Sequence, residues 1–336
     1  MKQKTILITG GMGYIGSHAV VAFEEAGYKT VIVDNLDNSC LSTYRSIGEI
    51  LGYKPDFYEV DLRDKEKLEE VFKKYTFDGV LHFAGLKAVG ESCEKPLHYF
   101  DNNVVGSLRL FELMEKYSVK NIIFSSSATV YNYDNEIPYV ETQNIGETTN
   151  TYATTKFLIE KILNDLSKFS GFNVINLRYF NPIGAHQSGL IGENPEGIPN
   201  NLLPFIMKVA IGELPYLNVF GNDYDTIDGT GVRDYIDVVD LIDGHLKAYD
   251  LIENLDFSGF IDDFNLGLGN GVSVLQILEA SKKAIGKDIP FKIAPRRSGD
   301  IAEFYCNPSK AKSILGWEAK TSLQDSLKNA WKFYNK

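Results

Sequence analysis

A glycine-punctuated turn near the N-terminus constrains this chain more than any other feature. Thr5–Thr9 is a β-rich run, and Thr9-Gly10-Gly11-Met12-Gly13-Tyr14-Ile15-Gly16 follows it, opening a helical pattern over Tyr14–Ala26 that Gly27 can stop. Gly11, Gly13 and Gly16 fit G-x-G-x-x-G, whereas Gly10, Gly13 and Gly16 fit G-x-x-G-x-x-G; both registers stay open. In either, glycine lets the backbone turn tightly and approach a pyrophosphate, while the helix N-terminus offers N–H groups and positive dipole. A purely structural turn is the competing reading, and the strand-to-helix context favours the nucleotide. Asp34 ends a second β-rich run, Thr30–Asp34, 18 residues after Gly16. A carboxylate there suits ribose hydroxyls and repels a 2′-phosphate, and the nearest arginine is Arg45. NAD is therefore favoured over NADP.

The alternation continues. Phe57–Val60, Gly79–Phe83, Asn121–Ser125 and Val174–Arg178 read as strands, separated by helical patterns such as Asp64–Tyr75, with Asp64 as N-cap, and Tyr152–Lys168. Strand, helix, strand repeated in this way predicts an α/β fold: a doubly wound parallel (Rossmann) sheet with helices on both faces. After Tyr179 the pattern loosens, with Pro182, Pro195, Pro199 and Pro204 in a Gly- and Asn-rich stretch. We expect a dinucleotide-binding domain over residues 1–181 and a second, smaller α/β substrate-binding lobe over 182–336. A strand at Tyr235–Val239 and a helix at Leu241–Leu251 are expected to return to the first domain, near 234–252. Val274–Ile285 and Leu323–Phe333 read as further helices.

Charge excludes some function classes. With 34 Lys+Arg against 45 Asp+Glu the formal net charge is −11, which disfavours nucleic acid and anionic membrane surfaces as partners. A small anionic ligand needs only a few local arginines. Cys40, Cys93 and Cys306 form no C-x-x-C pair, which suits a reducing compartment. Thr5–Phe23 contains 19 residues without Asp, Glu, Lys or Arg, yet its glycines and short apolar run fit neither a signal peptide nor a span. A cytoplasmic protein is expected. The five histidines show no ligand spacing. Asp237, Asp240 and Asp243, at i, i+3 steps, read as a solvated helical face, so no metal is assigned.

Tyr152-Ala153-Thr154-Thr155-Lys156 places a phenol and an ammonium at i and i+4 on one helix face. A nearby ammonium, with the positive nicotinamide ring, would favour phenolate and lower a tyrosine pKa from about 10. Tyr152 would then serve as a general base. Y-x-x-x-K by itself is common on half-exposed helices. It gains meaning from Ser125-Ser126-Ser127-Ala128-Thr129 at the end of the fifth strand, where Ser127 lies 25 residues earlier and can complete a catalytic set.

Glycine loop, Ser127, Tyr152 and Lys156 together resemble the extended short-chain dehydrogenase/reductase family. Longer segments narrow the resemblance to its UDP-sugar 4-epimerase branch: His82-Phe83-Ala84-Gly85-Leu86-Lys87-Ala88-Val89-Gly90-Glu91-Ser92, Leu177-Arg178-Tyr179-Phe180-Asn181-Pro182, Gly197-Ile198-Pro199-Asn200-Asn201-Leu202, Gly229-Thr230-Gly231-Val232-Arg233-Asp234-Tyr235 and Ala294-Pro295-Arg296-Arg297-Ser298-Gly299-Asp300. Together with the glycine loop and its strand, the matches run from residue 5 to beyond residue 300. One departure is Tyr131-Asn132, where the family usually has Gly after Tyr; Asn tolerates positive φ.

The resemblance implies reversible epimerisation of UDP-glucose and UDP-galactose through a 4-keto intermediate, with hydride held transiently by tightly bound NAD. Tyr152 would take the proton of the sugar 4-hydroxyl, Ser127 would bond the 4-oxygen, and Lys156 would hold the nicotinamide ribose. Around NAD it implies Gly10, Gly13, Tyr14, Ile15, Gly16, Asp34, Asn35, Asn38 and Ser39. Asp61, Leu62, Phe83, Ala84, Gly85, Leu86, Lys87, Asn102 and Phe180 join them. Around the UDP-sugar it implies Lys87, Asn181, Asn201, Leu202, Asn218, Phe220, Arg233, Arg297, Asp300 and Phe304, beside Ser127 and Tyr152. Arginine suits phosphate oxygens, and Arg297 is preferred to Arg296.

Phe304, four residues after Asp300, is expected to limit room beside the sugar C2 substituent, with Tyr305 as the alternative one residue on. A 4,6-dehydratase would need an acid/base carboxylate pair near Ser127, which Ser126-Ser127-Ala128-Thr129 does not offer. A UDP-uronic-acid 4-epimerase stays open, and a non-catalytic dinucleotide sensor would not need both Tyr152 and Lys156. Val104, Val105, Leu108, Leu110, Phe111, Leu113 and Met114 surround most of one helix with apolar side chains. Burial beneath the second lobe would account for that, but the family pairs this helix across a twofold axis, so a homodimer is expected.

Overall fold

In the computed structural model of this chain, residues 3–195, 197–297 and 299–336 are described. Ser298 of the Arg296-Arg297 motif lies outside them. The chain packs into two compact units. The first gathers Met1–Asn132, Asn144–Arg178 and Ile242–Phe264, and the second Tyr133–Gln143, Tyr179–Leu241 and Asn265–Lys336.

The first unit is built on a seven-stranded sheet. Its strands are β1 (Thr5–Thr9), β2 (Lys29–Asp34), β3 (Asp56–Glu59), β4 (Gly79–His82), β5 (Asn121–Ser127) and β6 (Asn173–Tyr179), with Ile261–Leu266 as the seventh. The order is Ile261–Leu266, β6, β5, β4, β1, β2, β3, which contains the 3-2-1-4-5-6 order of dinucleotide-binding folds. Pairing is parallel from β3 through β2, β1 and β4 to β5. Ile6, Leu7 and Ile8 of β1 and Val31, Ile32 and Val33 of β2 are all buried, as expected for strands covered on both faces. The helices α1 (Tyr14–Glu25), α2 (Leu41–Leu51) and α3 (Lys65–Lys74) follow the first three strands. Asp64 caps α3 as the sequence predicts, accepting from the Lys67 N–H at 3.1 Å.

The expected apolar helix is a π-helical segment, Phe100–Val105, leading into an α-helix, Gly106–Lys116. Leu110, Phe111, Leu113 and Met114 are buried in the core of their own unit with Phe72, Ile122 and Ile159, whereas Leu108 is exposed. Much of that helix's apolar circumference is thus accounted for within one chain.

The second unit holds three small sheets. Asn181–Ile183 pairs with Tyr235–Asp237, Leu217–Phe220 with Phe291–Ala294, and Val232–Arg233 lies between Val272–Ser273 and Glu303–Phe304. Ile206, Met207, Val219, Ile277, Leu278 and Leu327 form its core. The strand expected over Tyr235–Val239 stops at Asp237, and a helix runs from Val238 to Glu253. The aspartates expected on a solvated face are largely inside. Asp237 and Asp240 are buried. Asp237 accepts from the Val239 N–H at 2.8 Å, and Asp240 from the N–H groups of Lys320 at 2.9 Å and Thr321 at 2.7 Å. Backbone donors replace water at Asp240 and at one oxygen of Asp237, which i, i+3 spacing could not reveal. Among the described residues no helix is long and apolar enough to cross a membrane.

Candidate active site

Parallel register lays the C-terminal ends of four strands along one sheet edge. Thr9 pairs with Val33 and with His82, and His82 with Phe124. Asp34, Gly10, Phe83 and Ser125 therefore follow one another across the edge where doubly wound sheets bind ligands. Gly10 adopts φ +71°, its N–H bonds the Val33 carbonyl at 2.8 Å, and a Cβ there would sit 2.6 Å from the Ala84 nitrogen. A Cβ on Gly16 would sit 2.1 Å from the Gly10 oxygen. Gly11 instead abuts the Ile32 side chain. The turn thus uses the Gly10, Gly13, Gly16 register, and Gly11 serves packing. Gly13 starts α1 without a side-chain cap, and Tyr14 and Ile15 form its first turn. An anion can act as the cap in such an arrangement.

Asp34 is fixed at the end of β2. One carboxylate oxygen accepts from the Met12 N–H at 3.0 Å, and the other from the Leu36 N–H at 2.9 Å and the Ser39 hydroxyl at 2.8 Å. Asn38, in the same loop, is exposed. Asn35 donates to Asp61 at 3.0 Å. Arg63 grips Asp61 through Nε and a terminal nitrogen at 2.9 and 2.7 Å, holding that carboxyl well below its ordinary pKa. Leu62 beside it is nearly buried.

After β4, Phe83 packs 5.0 Å from the His245 ring, and Ala84 lies against Gly10. The Asn103 amide clamps Leu86, accepting its N–H at 2.8 Å and donating to its carbonyl at 3.0 Å, and donates to Thr155 at 3.1 Å. Gly85 lies against this amide, and Asn102 donates to it at 3.0 Å. Asn103 was invisible to motif reading; its buried position comes from the π-helical segment, a distortion often found at functional sites. Lys87 is exposed, 5.9 Å over the Tyr14 ring.

Ser127 ends β5, and its hydroxyl accepts from the Thr129 N–H at 3.2 Å and hydroxyl at 2.9 Å. The facing helix, Thr151–Ser170, starts where Asn150 accepts from the Ala153 N–H at 2.9 Å. It brings Tyr152 close enough to Ser127 for the serine hydroxyl to influence the phenol. Lys156 is buried, donates to the Ser125 carbonyl at 2.5 Å, and lies 5.9 Å from the Tyr152 ring centre.

The electrostatics differ from the sequence expectation. Burial raises the Tyr152 phenol above its ordinary pKa, against the lowering influence of the Ser127 hydrogen bond and the Lys87 charge. Burial also pushes the Lys156 ammonium down to about 7, opposed by the Glu160 carboxylate. Desolvation outweighs both, and the lowering charge is that of Lys87 rather than the expected Lys156.

In the second unit, Arg233 pairs with Asp300 at 2.7 Å. The Arg297 guanidinium lies 4.1 Å over the Phe220 ring, and Asn218 sits in the same strand. Arg296 is instead tied to Asp223 at 2.7 Å and stacked 4.0 Å over Tyr224. Asn201, the residue before the Leu202–Ala210 helix, donates to Glu193 at 2.7 Å. The Asn181 N–H bonds the Asp234 carbonyl at 2.9 Å, and the Asp234 N–H bonds the Phe304 carbonyl at 3.2 Å. Phe304 packs on Phe180 at 5.1 Å and Tyr139 at 4.8 Å, while the Tyr305 ring abuts Gly271.

This fold, with Ser, Tyr and Lys assembled beside a glycine turn, defines an enzyme of the short-chain dehydrogenase/reductase class. Residues 7–330 match the family described as GDP-mannose 4,6 dehydratase. A UDP-glucose 4-epimerase of Bacillus subtilis (strain 168) is 51% identical over 98% of this chain and 96% of its own length. The chain resembles the crystal structure of a UDP-glucose 4-epimerase from Stenotrophomonas maltophila with bound NAD and formylated UDP-arabinopyranose. There the TM-score is 0.95 and identity 44%, covering 99% of this chain and 98% of that one. For a UDP-glucose 4-epimerase of Bifidobacterium longum in complex with NAD+ and UDP, the TM-score is 0.93 and identity 46%, covering 99% and 98%. The chain belongs to the UDP-glucose 4-epimerase family.

Proposed function

We propose that this chain interconverts UDP-glucose and UDP-galactose by reversible 4-epimerisation with tightly bound NAD. The approach of Tyr152 to Ser127, with Lys156 one turn along the same helix and bonded to the Ser125 carbonyl, carries the reading. The cradle fits the cofactor. Gly10 and Gly16 pack too tightly on the Ala84 and Gly10 backbone to carry a Cβ, which keeps the turn close to the helix start; that start carries no side-chain cap, and Asp34 is oriented by three donors. Bound NAD supplies reversible hydride acceptance at sugar C4, giving the 4-keto intermediate. Tyr152 would take the 4-hydroxyl proton and return it to the opposite epimer, Ser127 would hold the 4-oxygen, and Lys156 would orient the ribose. Gly13, Tyr14, Ile15 and Gly16 would face the pyrophosphate, and Asp34, Asn35, Asn38, Ser39, Asp61 and Leu62 the adenosine. Phe83–Lys87, Asn102 and Phe180 would border the rest. Arg233 and Arg297 would meet the UDP phosphates, with Asn181, Asn201, Leu202, Asn218, Phe220 and Asp300 around the remainder. This assigns residues 1–181 to the cofactor and 182–336 to the substrate; of the return expected near 234–252, the strand Tyr235–Asp237 stays in the second unit and the chain rejoins the first at Ile242.

Ser126, Ser127, Ala128 and Thr129 include no carboxylate, and the neighbour that bonds the Ser127 oxygen is the Thr129 hydroxyl, which donates to it; both separate this site from dehydratase chemistry. Purified protein is expected to convert UDP-galactose to UDP-glucose without added nicotinamide. No conversion by protein shown to contain NAD would overturn the reading.

Phe304 is proposed as the limit on the sugar C2 substituent, because its ring is held between Phe180 and Tyr139 whereas Tyr305 lies against Gly271. A close-packed ring relaxes only partly to an acetamido group. Wild type is expected to prefer UDP-glucose to UDP-GlcNAc, with Phe304→Cys improving relative kcat/KM for the acetylated sugar by about tenfold or more. Equal use of both sugars by wild type would refute the assignment.

A homodimer is also proposed. Leu97 is 82% exposed just before the π-helical segment and Leu108 is exposed just after it, two apolar side chains that a second copy would cover. Light scattering at micromolar concentration should give twice the chain mass, and a monomeric mass would count against it. The free cysteines, Cys40, Cys93 and Cys306, support a reducing, cytoplasmic setting.

A further inference from the structure

Three successive residues at the end of β5 are each met by the facing helix at four-residue intervals. Tyr152 lies by Ser127, Lys156 Nζ donates to the Ser125 carbonyl at 2.5 Å, and Glu160 accepts from the Ser126 hydroxyl at 2.5 Å. The third contact belongs to no motif considered above, and its carboxylate is only 4% exposed. Arg178 on β6 grips Glu160 through two bonds, Nε to Oε1 at 3.1 Å and a terminal nitrogen to Oε2 at 2.8 Å. That same guanidinium also donates to Asp263 at 2.7 Å and to the Tyr131 hydroxyl at 3.2 Å.

One buried cation is therefore shared by two carboxylates, so the cluster carries a surplus negative charge. A buried ion pair of this kind costs desolvation and is weak evidence for stability. Its placement one helical turn beyond Lys156 matters more. We propose that Glu160 is a positioning residue: clamped by Ser126 and Arg178, it fixes the end of β5 against the helix bearing Tyr152 and Lys156 and supplies the counter-charge for the Lys156 ammonium. The inference rests on the proposed role of Tyr152 and Lys156.

The groups around Lys156 leave that task to Glu160. Tyr152 lies on the same helix, His82 on β4 is a buried imidazole kept neutral by desolvation and by Lys156 itself, and β5 offers only the Ser125 carbonyl and the Phe124 ring, 4.9 Å away. Arg178 and Asp263, on β6 and the adjoining strand, act through Glu160. Lys87 and Tyr99 influence Tyr152.

The test is the pH profile of kcat/KM for UDP-galactose in the NAD-loaded protein. Loss of the Lys156 charge should set the alkaline limb. In Glu160→Gln that limb is expected to move to lower pH by about one unit, the effect of removing an adjacent opposite charge, while Glu160→Asp keeps it near the wild-type position. If Glu160→Gln does not fold, Asp263→Asn serves, since the Asp263 side chain is 30% exposed. Freed of Asp263, Arg178 neutralises Glu160 more fully, and the limb moves the same way by a smaller amount. A uniform loss of rate with unmoved limbs, the mark of a merely structural role, would overturn the proposal. Tyr152→Phe separates the two readings: wild-type turnover there removes the proposed function, whereas unmoved limbs beside an inactive Tyr152→Phe remove only this inference.

Discussion

Tyr152→Phe is expected to lower turnover by about 10²–10⁴-fold, the typical contribution of a positioned acid/base group, while the protein still carries NAD and binds UDP-sugar. Phenylalanine keeps the ring and its packing beside Lys156. It removes only the oxygen that lies by Ser127 and would take the proton. The defect therefore belongs to the chemical step. Because burial holds this phenol above its ordinary pKa in the chain alone, the rate should fall as pH drops below the point where the phenolate forms. No pH restores it in the variant, which has no oxygen to ionise. Measured kcat, bound NAD and UDP affinity together decide the matter. Turnover near wild type in Tyr152→Phe would remove Tyr152 from the mechanism, and loss of NAD with loss of turnover would instead point to a folding defect.

The parts of this fold that a periodic pattern or a local turn encodes were legible in advance. β1 spans the expected Thr5–Thr9, Asp64 caps α3, and Val274–Ile285 has the predicted ends. The glycine register was undecidable from sequence because Gly11 and Gly10 are both intolerant of a side chain, for different reasons: one faces Ile32, the other the Ala84 backbone at positive φ. The strand Ile261–Leu266 was missed because Asp262 and Asp263 interrupt its apolar run, and Asp263 is kept there by Arg178 and Asn176. Asp237 and Asp240 were misread for a related reason. Spacing describes a helix face, but whether a carboxylate on it meets water or backbone N–H groups is decided by segments as distant as Lys320 and Thr321. Glu160 was within reach, since it extends the Tyr152, Lys156 spacing by one more step of four.

Gly16→Ala should be the most damaging single methyl group in the first unit. A Cβ at residue 16 would lie 2.1 Å from the Gly10 oxygen and 2.8 Å from the Gly11 Cα, both backbone atoms with no side chain to swing aside. Relief requires moving α1 away from the turn or flattening the turn itself. The first shifts the Gly13 start of α1 off the position where it would meet a pyrophosphate. The second breaks the Gly10 N–H bond to Val33 at 2.8 Å. Overpacking of this kind costs about 1–3 kcal/mol or more, and the cradle geometry is lost with it. The variant is expected to purify with less than about one-tenth of the wild-type NAD, since each 1.4 kcal/mol is tenfold in affinity, and with a lowered Tm. Gly90→Ala is the matched control. It lies in the short Val89–Glu94 helix with open space around its Cβ, so alanine there should leave NAD content unchanged and Tm unchanged or slightly higher. Full NAD occupancy in Gly16→Ala, measured by acid release of the nucleotide, would mean that the turn does not cradle the cofactor.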